Sequence, residues 1–403
     1  MNLAPPRGTR DFFPEDMRLR NWLFGHFREV ARLFAFEEYD APVIDAEELY
    51  VRKSGEEIVD QLYTFQDKSG RRLALRPEMT PSLARLVLQR AGSLALPIKW
   101  YSIPQCWRYE RMTRGRRREH YQWNMDVLGV EDVAAEAELL AALTTFFRRV
   151  GLGPEDVEIR VSSRKILQVV AADAGIPADL FGPVCVLVDK LDKVPREEVE
   201  AAVGALGVDP GLVGRILGIA ATGSLDEVAA QVDAERGGVA DLRRLFALAE
   251  GYGYADWLRF DASLVRGLAY YTGVVFEAFA RRGELRAICG GGRYDRLLST
   301  FGGKDVPACG FGFGDAVIVE LLKDLDLLPG LSPGVDDVVF ALGEDLRPAA
   351  LQVAARLRDQ GRAVDLVVDD RKMKWAFRHA DAAAASRLVL LAPEEWSRGL
   401  VRV

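Results

Sequence analysis

Six arginines crowd into eleven residues, Arg108, Arg111, Arg114, Arg116, Arg117 and Arg118, although the chain carries a net charge of −7. So dense a local charge in an acidic chain calls for a local counter-charge. Around it the segment CWRYERMTRGRRREHYQWNMDVLG alternates. Trp107, Tyr109, Tyr121, Trp123 and Met125 interleave with Arg108, Glu110, Gln122 and Asp126. That period of two predicts two strands, joined by a basic loop around Gly115. A guanidinium group is a planar fork of donors that matches phosphate oxygens and stays charged when partly buried. Arginines fixed on strands, with more on a loop, suit a nucleoside triphosphate. A solvated basic loop beside edge-strand arginines accounts for the same residues.

Composition narrows the other options. At 403 residues the chain has room for two or three domains. Apolar residues make up 49%, which implies sizeable cores rather than disorder. There is no apolar run of membrane-spanning length and no charged-then-apolar leader, so no membrane partner and a cytoplasmic location are expected. Cys106, Cys185, Cys289 and Cys309 lack any CxxC spacing and are expected as buried thiols, not as disulfides or metal ligands. Three histidines, His26, His120 and His379, leave little material for serine–histidine or zinc chemistry. No metal site built from side chains is expected.

The elements that must position the arginines can be read from periodicity. Leu19, Leu23, Phe27, Val30 and Phe34 predict an amphipathic helix over 15–36. EEYDAPVID reads as a strand whose Pro42 confines it to an edge or a bulge. QLYTF, a DKSG turn and RRLALR predict a hairpin. A helix over 132–149 carries Val133, Ala137, Leu140, Leu143 and Phe147 on one face, and Gly151 and Pro154 stop it. VEIRV at 157–161 is a strand. Residues 165–255 are almost entirely helical in pattern. Strands resume at WLRFDAS and run through VVFEAF. After an SPG linker at 332–334 comes a βαβ rhythm. DVVFAL, a helix through LQVAARL, AVDLVV, a helix from Lys372 and RLVLLA predict a separate small α/β domain.

The arginine segment resembles motif 2 of the class II aminoacyl-tRNA synthetases, an Arg-x-Glu on a strand followed by a basic loop. Within that class the histidyl-tRNA synthetase family is the most similar. PRGTRDFFPED resembles its opening and LALRPEMT at 73–80 its substrate strand. LVRGLAYYTGVVFE at 264–277 and AICGGGRYD at 287–295 resemble two signatures peculiar to it. GFGFGDAVIVELL at 310–322 is similar to the branch found in plant organelles and some bacteria. The resemblance implies an α+β fold, a class II antiparallel sheet with flanking helices. It places a catalytic domain at 1–330 with a helical insertion at about 165–255, and an α/β anticodon-binding domain at 336–403. The helix over 15–36 and the Pro42 strand would form a homodimer interface. The implied reaction joins histidine to ATP as histidyl-adenylate and then transfers it to tRNA(His). ATP and Mg2+ are the implied cofactors. The implied partners are histidine, tRNA(His) and a second copy of the chain.

Such a reaction needs positive charge where a pentavalent phosphate accumulates negative charge. It needs no protein base, because a carboxylate is already a nucleophile. The resemblance gives Arg108 and Arg266 these catalytic roles on either side of the α-phosphate, with Arg266 also touching the amino acid. Glu110 would hold the adenine amino group or magnesium, Arg116 the terminal phosphates, and His120 would stack on adenine where the family usually has phenylalanine. Gly292 and Arg293 would approach the nucleotide. Asp126 and Tyr271 would read the imidazole, since a carboxylate and a phenol leave unpaired partners when another side chain enters. Glu78, Thr80 and Gln122 would hold the α-amino group, and Tyr270 would line the same pocket. Taken singly, Arg266 reads more readily as a structural arginine paired with a core carboxylate, and GGGR at 290–293 reads equally as a bulge or a packing element.

Three departures stand out. Asp315-Ala316-Val317 occupies the place of the motif 3 arginine, Ala269 replaces a common aspartate, and Val403 ends a last domain shorter than the family's usual one. The alternative reading is the synthetase-like regulatory subunit of ATP phosphoribosyltransferase, which binds histidine without charging tRNA.

Overall fold

The computed structural model describes residues 3–51, 59–173, 175–188, 194–208, 210–233, 238–264, 270–283 and 285–403. The chain divides into two compact units. One comprises Met1–Asp11 and Leu23–Leu328, the other Phe12–Trp22 with Pro329–Val403.

The first unit holds β1 (Glu37–Glu38), β2 (Ile44–Ala46), β3 (Thr64–Gln66), β4 (Arg72–Leu75), β5 (Ile98–Ser102), β6 (Gln105–Trp107) and β7 (Glu119–Leu128). It continues with β8 (Val157–Ser163), β9 (Leu258–Phe260), β10 (Val274–Ala280), β11 (Cys289–Arg293) and β12 (Ala308–Gly314). Among the described residues, nine of these form one sheet ordered β1-β5-β7-β12-β11-β10-β8-β9, with β6 added against β7. The pairs are antiparallel except β1 with β5 and β8 with β9. The expected strand EEYDAPVID is divided: β1 edges the large sheet, whereas β2 joins the small sheet of β3 and β4. Pro42 lies between them, where no ladder donor is required. Between β8 and β9 the described chain is helical, from Arg164–Asp173 to Val239–Tyr252.

One face of the sheet is sealed by aromatic rings. Phe27 stacks on Trp123 at 4.7 Å and meets Phe146 at 5.0 Å, and Phe313 lies 5.1 Å from Phe146. Burying such rings supplies most of the local stability, and their edge-on packing adds to it. They come from the helices Pro14–Leu33 and Ala134–Arg149 and from alternate residues of β7 and β12. Leu83, Leu128, Tyr271, Val275, Tyr294 and Leu298 belong to a separate cluster.

The second unit contains β13 (Asp337–Ala341), β14 (Val364–Leu366) and β15 (Arg387–Leu391), parallel and ordered β14-β13-β15. The helices Arg347–Asp359 and Met373–Ala382 connect them. Val339, Ala350, Ala354, Val389 and Leu391 form its core. All four cysteines are buried thiols outside any disulfide. No described helix is long and apolar enough to cross a membrane.

Candidate active site

A cavity of about 180 Å³ lies over the face of β7 opposite the aromatic seal. The pleat explains which residues enter it. Trp123, Met125 and Val127 are buried in the core, so His120, Gln122, Asn124 and Asp126 point the other way, into the cavity. On the neighbouring strand the same parity selects Gly310 and Gly312, which pair with Asp126 and Asn124. A Cβ on Gly310 would lie 2.2 Å from Asp126 Oδ1, and one on Gly312 1.7 Å from Gln122 Nε2. The glycines therefore make room for the polar side chains of β7.

Two further segments complete the wall. After β4, Arg76 is held by Gln105 O at 2.8 Å and Ala41 O at 2.6 Å, and this anchor presents Glu78 and Thr80 at the start of helix Thr80–Gln89. The loop between β6 and β7 brings Arg108, Glu110, Arg116 and Arg117. Arg108 Nε donates to Pro77 O at 2.9 Å. Glu110 clasps Arg116 through both its oxygens. Arg114 fastens the loop to Glu320 at 3.0 Å, on the helix Asp315–Asp324.

The electrostatics are uneven. Burial would raise the Glu110 carboxyl, but the Arg116 hydrogen bonds and the charges of Arg108 and Arg286 hold it below its ordinary range. Burial, then the Arg108 charge, push His120 down to about 3, so its imidazole is neutral at physiological pH. Tyr294 donates its phenol hydrogen to Asp126 Oδ1. Burial and the Asp126 charge keep that phenol protonated well above its ordinary range. Glu78 is only 4% exposed, yet its Oε1 is buried with no hydrogen-bond partner. A buried carboxylate oxygen without a protein donor is costly by itself and is a receptor for a cationic ligand.

Of the residues singled out in the sequence, Glu78, Thr80, Arg108, Glu110, Arg116, His120, Gln122, Asp126, Tyr270 and Tyr271 are brought together here. Arg266 lies outside the described residues. Gly292 and Arg293 do not line the cavity, which corrects their expected approach to the nucleotide. A Cβ on Gly292 would press on Val274 O at 2.5 Å and on the Tyr271 ring at 3.0 Å. The pleat sends Arg293 to the opposite face, where Glu136 accepts from Nε at 2.7 Å and from Nη2 at 2.6 Å. Asn124, Arg286 and Glu277 also line the cavity and were not singled out. Asn124 follows the parity of β7 and could have been found from it. Arg286 carries no strand or motif signal. Asp315 is occupied structurally: it accepts from Arg10 at 2.9 Å and from Tyr121 N at 3.0 Å.

Residues 8–315 match the family model of histidyl-tRNA synthetase, and residues 336–403 match that of an anticodon-binding domain. The chain is 57% identical to the chloroplastic/mitochondrial histidine–tRNA ligase of Arabidopsis thaliana, over all of this chain and 83% of that protein. It is 38% identical to the histidine–tRNA ligase of Opitutus terrae, over 98% of this chain and 92% of that protein. Its fold is that of the histidyl-tRNA synthetase crystal structure from Nostoc sp. PCC 7120, with a TM-score of 0.82 at 24% identity, covering 99% and 93% of the two chains. The expected cytoplasmic location is overturned by the Arabidopsis relative, which is named for organelles. That expectation rested on the lack of a secretory leader, which bears on secretion alone. With both family models matched and the relatives covered along their length, the chain belongs to the histidyl-tRNA synthetase family.

Proposed function

We propose that the protein is a histidine–tRNA ligase: it condenses histidine with ATP to histidyl-adenylate and pyrophosphate, then passes the histidyl group to tRNA(His). The observation that carries this reading is the unpartnered buried oxygen of Glu78, set in one cavity with Asp126 and several arginines. Such a wall offers a carboxylate to an ammonium group and guanidinium groups to phosphate and carboxylate, as a zwitterion reacting with a nucleotide requires. Glu78, Thr80 and Gln122 hold the α-amino group. Asp126, fixed by Tyr294, and Tyr271 read the imidazole, and Tyr270 lines the same pocket. Arg108 meets the α-phosphate together with Arg266. Arg116 exchanges Glu110 for the terminal phosphates. His120 supplies a neutral ring to stack on adenine. Magnesium would supply further positive charge to the ATP phosphates, and Glu110 is the residue of this wall that would hold it.

Residues 1–330 form the catalytic domain and 336–403 the tRNA-reading one. Lys372, Lys374 and Arg378 expose a basic helix face beside Phe377, which is 50% exposed, a surface suited to phosphates and unstacked bases. The helix Pro14–Leu33 and Pro42 form the interface of a homodimer. The regulatory-subunit alternative is disfavoured because the cavity keeps its arginine wall and the last domain matches the anticodon-binding model.

The test is histidine-dependent ATP–pyrophosphate exchange by the full chain, followed by charging of tRNA(His). Exchange that histidine does not stimulate would end this reading. Light scattering at micromolar protein tests the dimer, and a monomeric mass would remove it.

A further inference from the structure

Arg286 stands just before β11, in a segment distant in sequence from the arginine loop, and still lines the same cavity. The antiparallel pairing of β11 with β12 brings the segment entering β11 beside the segment leaving β12, and Ala316 and Val317 share the cavity with Arg286. Among the described residues Arg286 has no hydrogen bond and no ion pair. It therefore differs from Arg116, clasped by Glu110, and from Arg293, clasped by Glu136. From the entry of β11 it feels the charges of Arg116 and Arg108. Desolvation first, then those two like charges, lower its pKa, while Glu110 and Glu277 oppose the shift. Glu110 is committed to Arg116. Three guanidinium groups thus converge with less negative charge than they need, an arrangement that a polyanion stabilises.

Resting on the ligase reading, we propose that Arg286 binds the triphosphate tail of ATP, supplying from the entry of β11 the positive charge that Asp315-Ala316-Val317 cannot supply. Asp315 cannot take part, since Arg10 and Tyr121 N already hold it. On binding, the phosphate oxygens accept from a guanidinium that no described group of the protein engages. Arg286 then acts as a positioning residue for the nucleotide and touches neither the imidazole nor the α-amino group.

The experiment uses the full chain with Arg286→Ala and Arg286→Lys. Arg286 keeps more than a third of its surface exposed, so neither change removes core packing. Titration calorimetry compares ATP with AMP, and pyrophosphate exchange gives the KM for ATP and for histidine. Arg286→Ala should weaken ATP about tenfold or more, the loss of one charge-assisted hydrogen-bonding partner. AMP affinity and the histidine KM should stay within about twofold, and Arg286→Lys should recover part of the loss. Equal weakening of ATP and AMP would place Arg286 on the nucleoside and overturn the proposal. So would unchanged ATP affinity, or parallel loss of ATP and histidine binding. Absence of exchange in the unaltered chain would instead sink the ligase reading, and the contrast between ATP and AMP would still decide the role of Arg286.

Discussion

At the start of β13, Asp337 is fully buried and accepts from Arg362 on one side and Arg387 on the other. In the cavity, Glu78 is buried nearly as deeply and leaves one oxygen without a donor. Both regions use carboxylates and arginines, and both withdraw charge from water. In the second unit the charges close on each other, and Asp337 is held down to about 2 because its two arginines outweigh burial. In the cavity, closure is partial: Glu110 takes Arg116, while Glu78 and Arg286 wait. A closed buried ion pair makes the loss of either partner costly to the fold, whereas a charge left open marks a place where a ligand completes the circuit.

The comparison can be broken first at Arg108. Arg108→Ala should lower histidine-dependent exchange by about 10²–10³-fold, the usual consequence of removing one donor from developing charge. A variant keeping a tenth of the activity would show that the cavity does not work through this arginine. Glu78→Gln comes next. It should raise the histidine KM by about 100-fold with the ATP KM unchanged, and leave the thermal midpoint unchanged or higher, since it discharges an unpartnered oxygen. Asp337→Asn should do the reverse. Exchange should persist while the second unit loses about 2 kcal/mol, a figure kept below that for breaking a fully buried pair because Arg362 and Arg387 reach solvent. If Glu78→Gln destabilised as much as Asp337→Asn, the distinction between open and closed charges would collapse.

Asp126→Asn should weaken histidine about tenfold and ATP less, because a charged acceptor binds an imidazole N–H more strongly than an amide does. Equal changes in both Michaelis constants would take Asp126 out of the specificity pocket. The smallest effects concern pH. His120 sits at about 3, so the ATP KM should be flat from pH 5.5 to 8, as His120 acquires a proton only well below that range. A step near pH 6.5 would contradict its neutral state. Asp337 has a folded-state pKa depressed from its ordinary 3.8 to about 2. Its contribution to stability is therefore complete above about pH 4 and lost as pH falls through 2. A denaturant midpoint of the second unit that did not drop between pH 4 and 2 would remove it from that role.

Much of the site was legible because strand parity and motif chemistry agreed. The alternation that marked Trp123 and Met125 as apolar also placed Gln122 and Asp126 on the other face, and the pleat of β7 carried that straight into the cavity. Parity was also where the reading failed. GGGR offers no side-chain pattern before its arginine, so nothing local said that Arg293 would turn toward Glu136. Nor could periodicity reveal that Gly310 and Gly312 are bare to make room for Asp126 and Gln122, a fact of cross-strand register. Arg286 escaped because its neighbours in space, Arg108 and Arg116, are about 170 residues away in sequence. The expected strand through Pro42 was two short ones in two sheets, since proline ended one ladder before the next began.

The contact between Arg10 and Asp315 spans 305 residues of chain. During synthesis the tenth residue leaves the ribosome long before its partner exists. Arg10 can engage Glu119, the first residue of β7, as soon as that strand is made, but the Asp315 half of the strap is missing until then. The arginine loop is thus displayed as a nascent polycation well before its wall can close. Contacts of such long separation are slow to form and come late. This chain therefore finishes its nucleotide-facing wall as one of the last acts of building its first unit, so a chain interrupted before residue 315 carries the charges of the site without its shape.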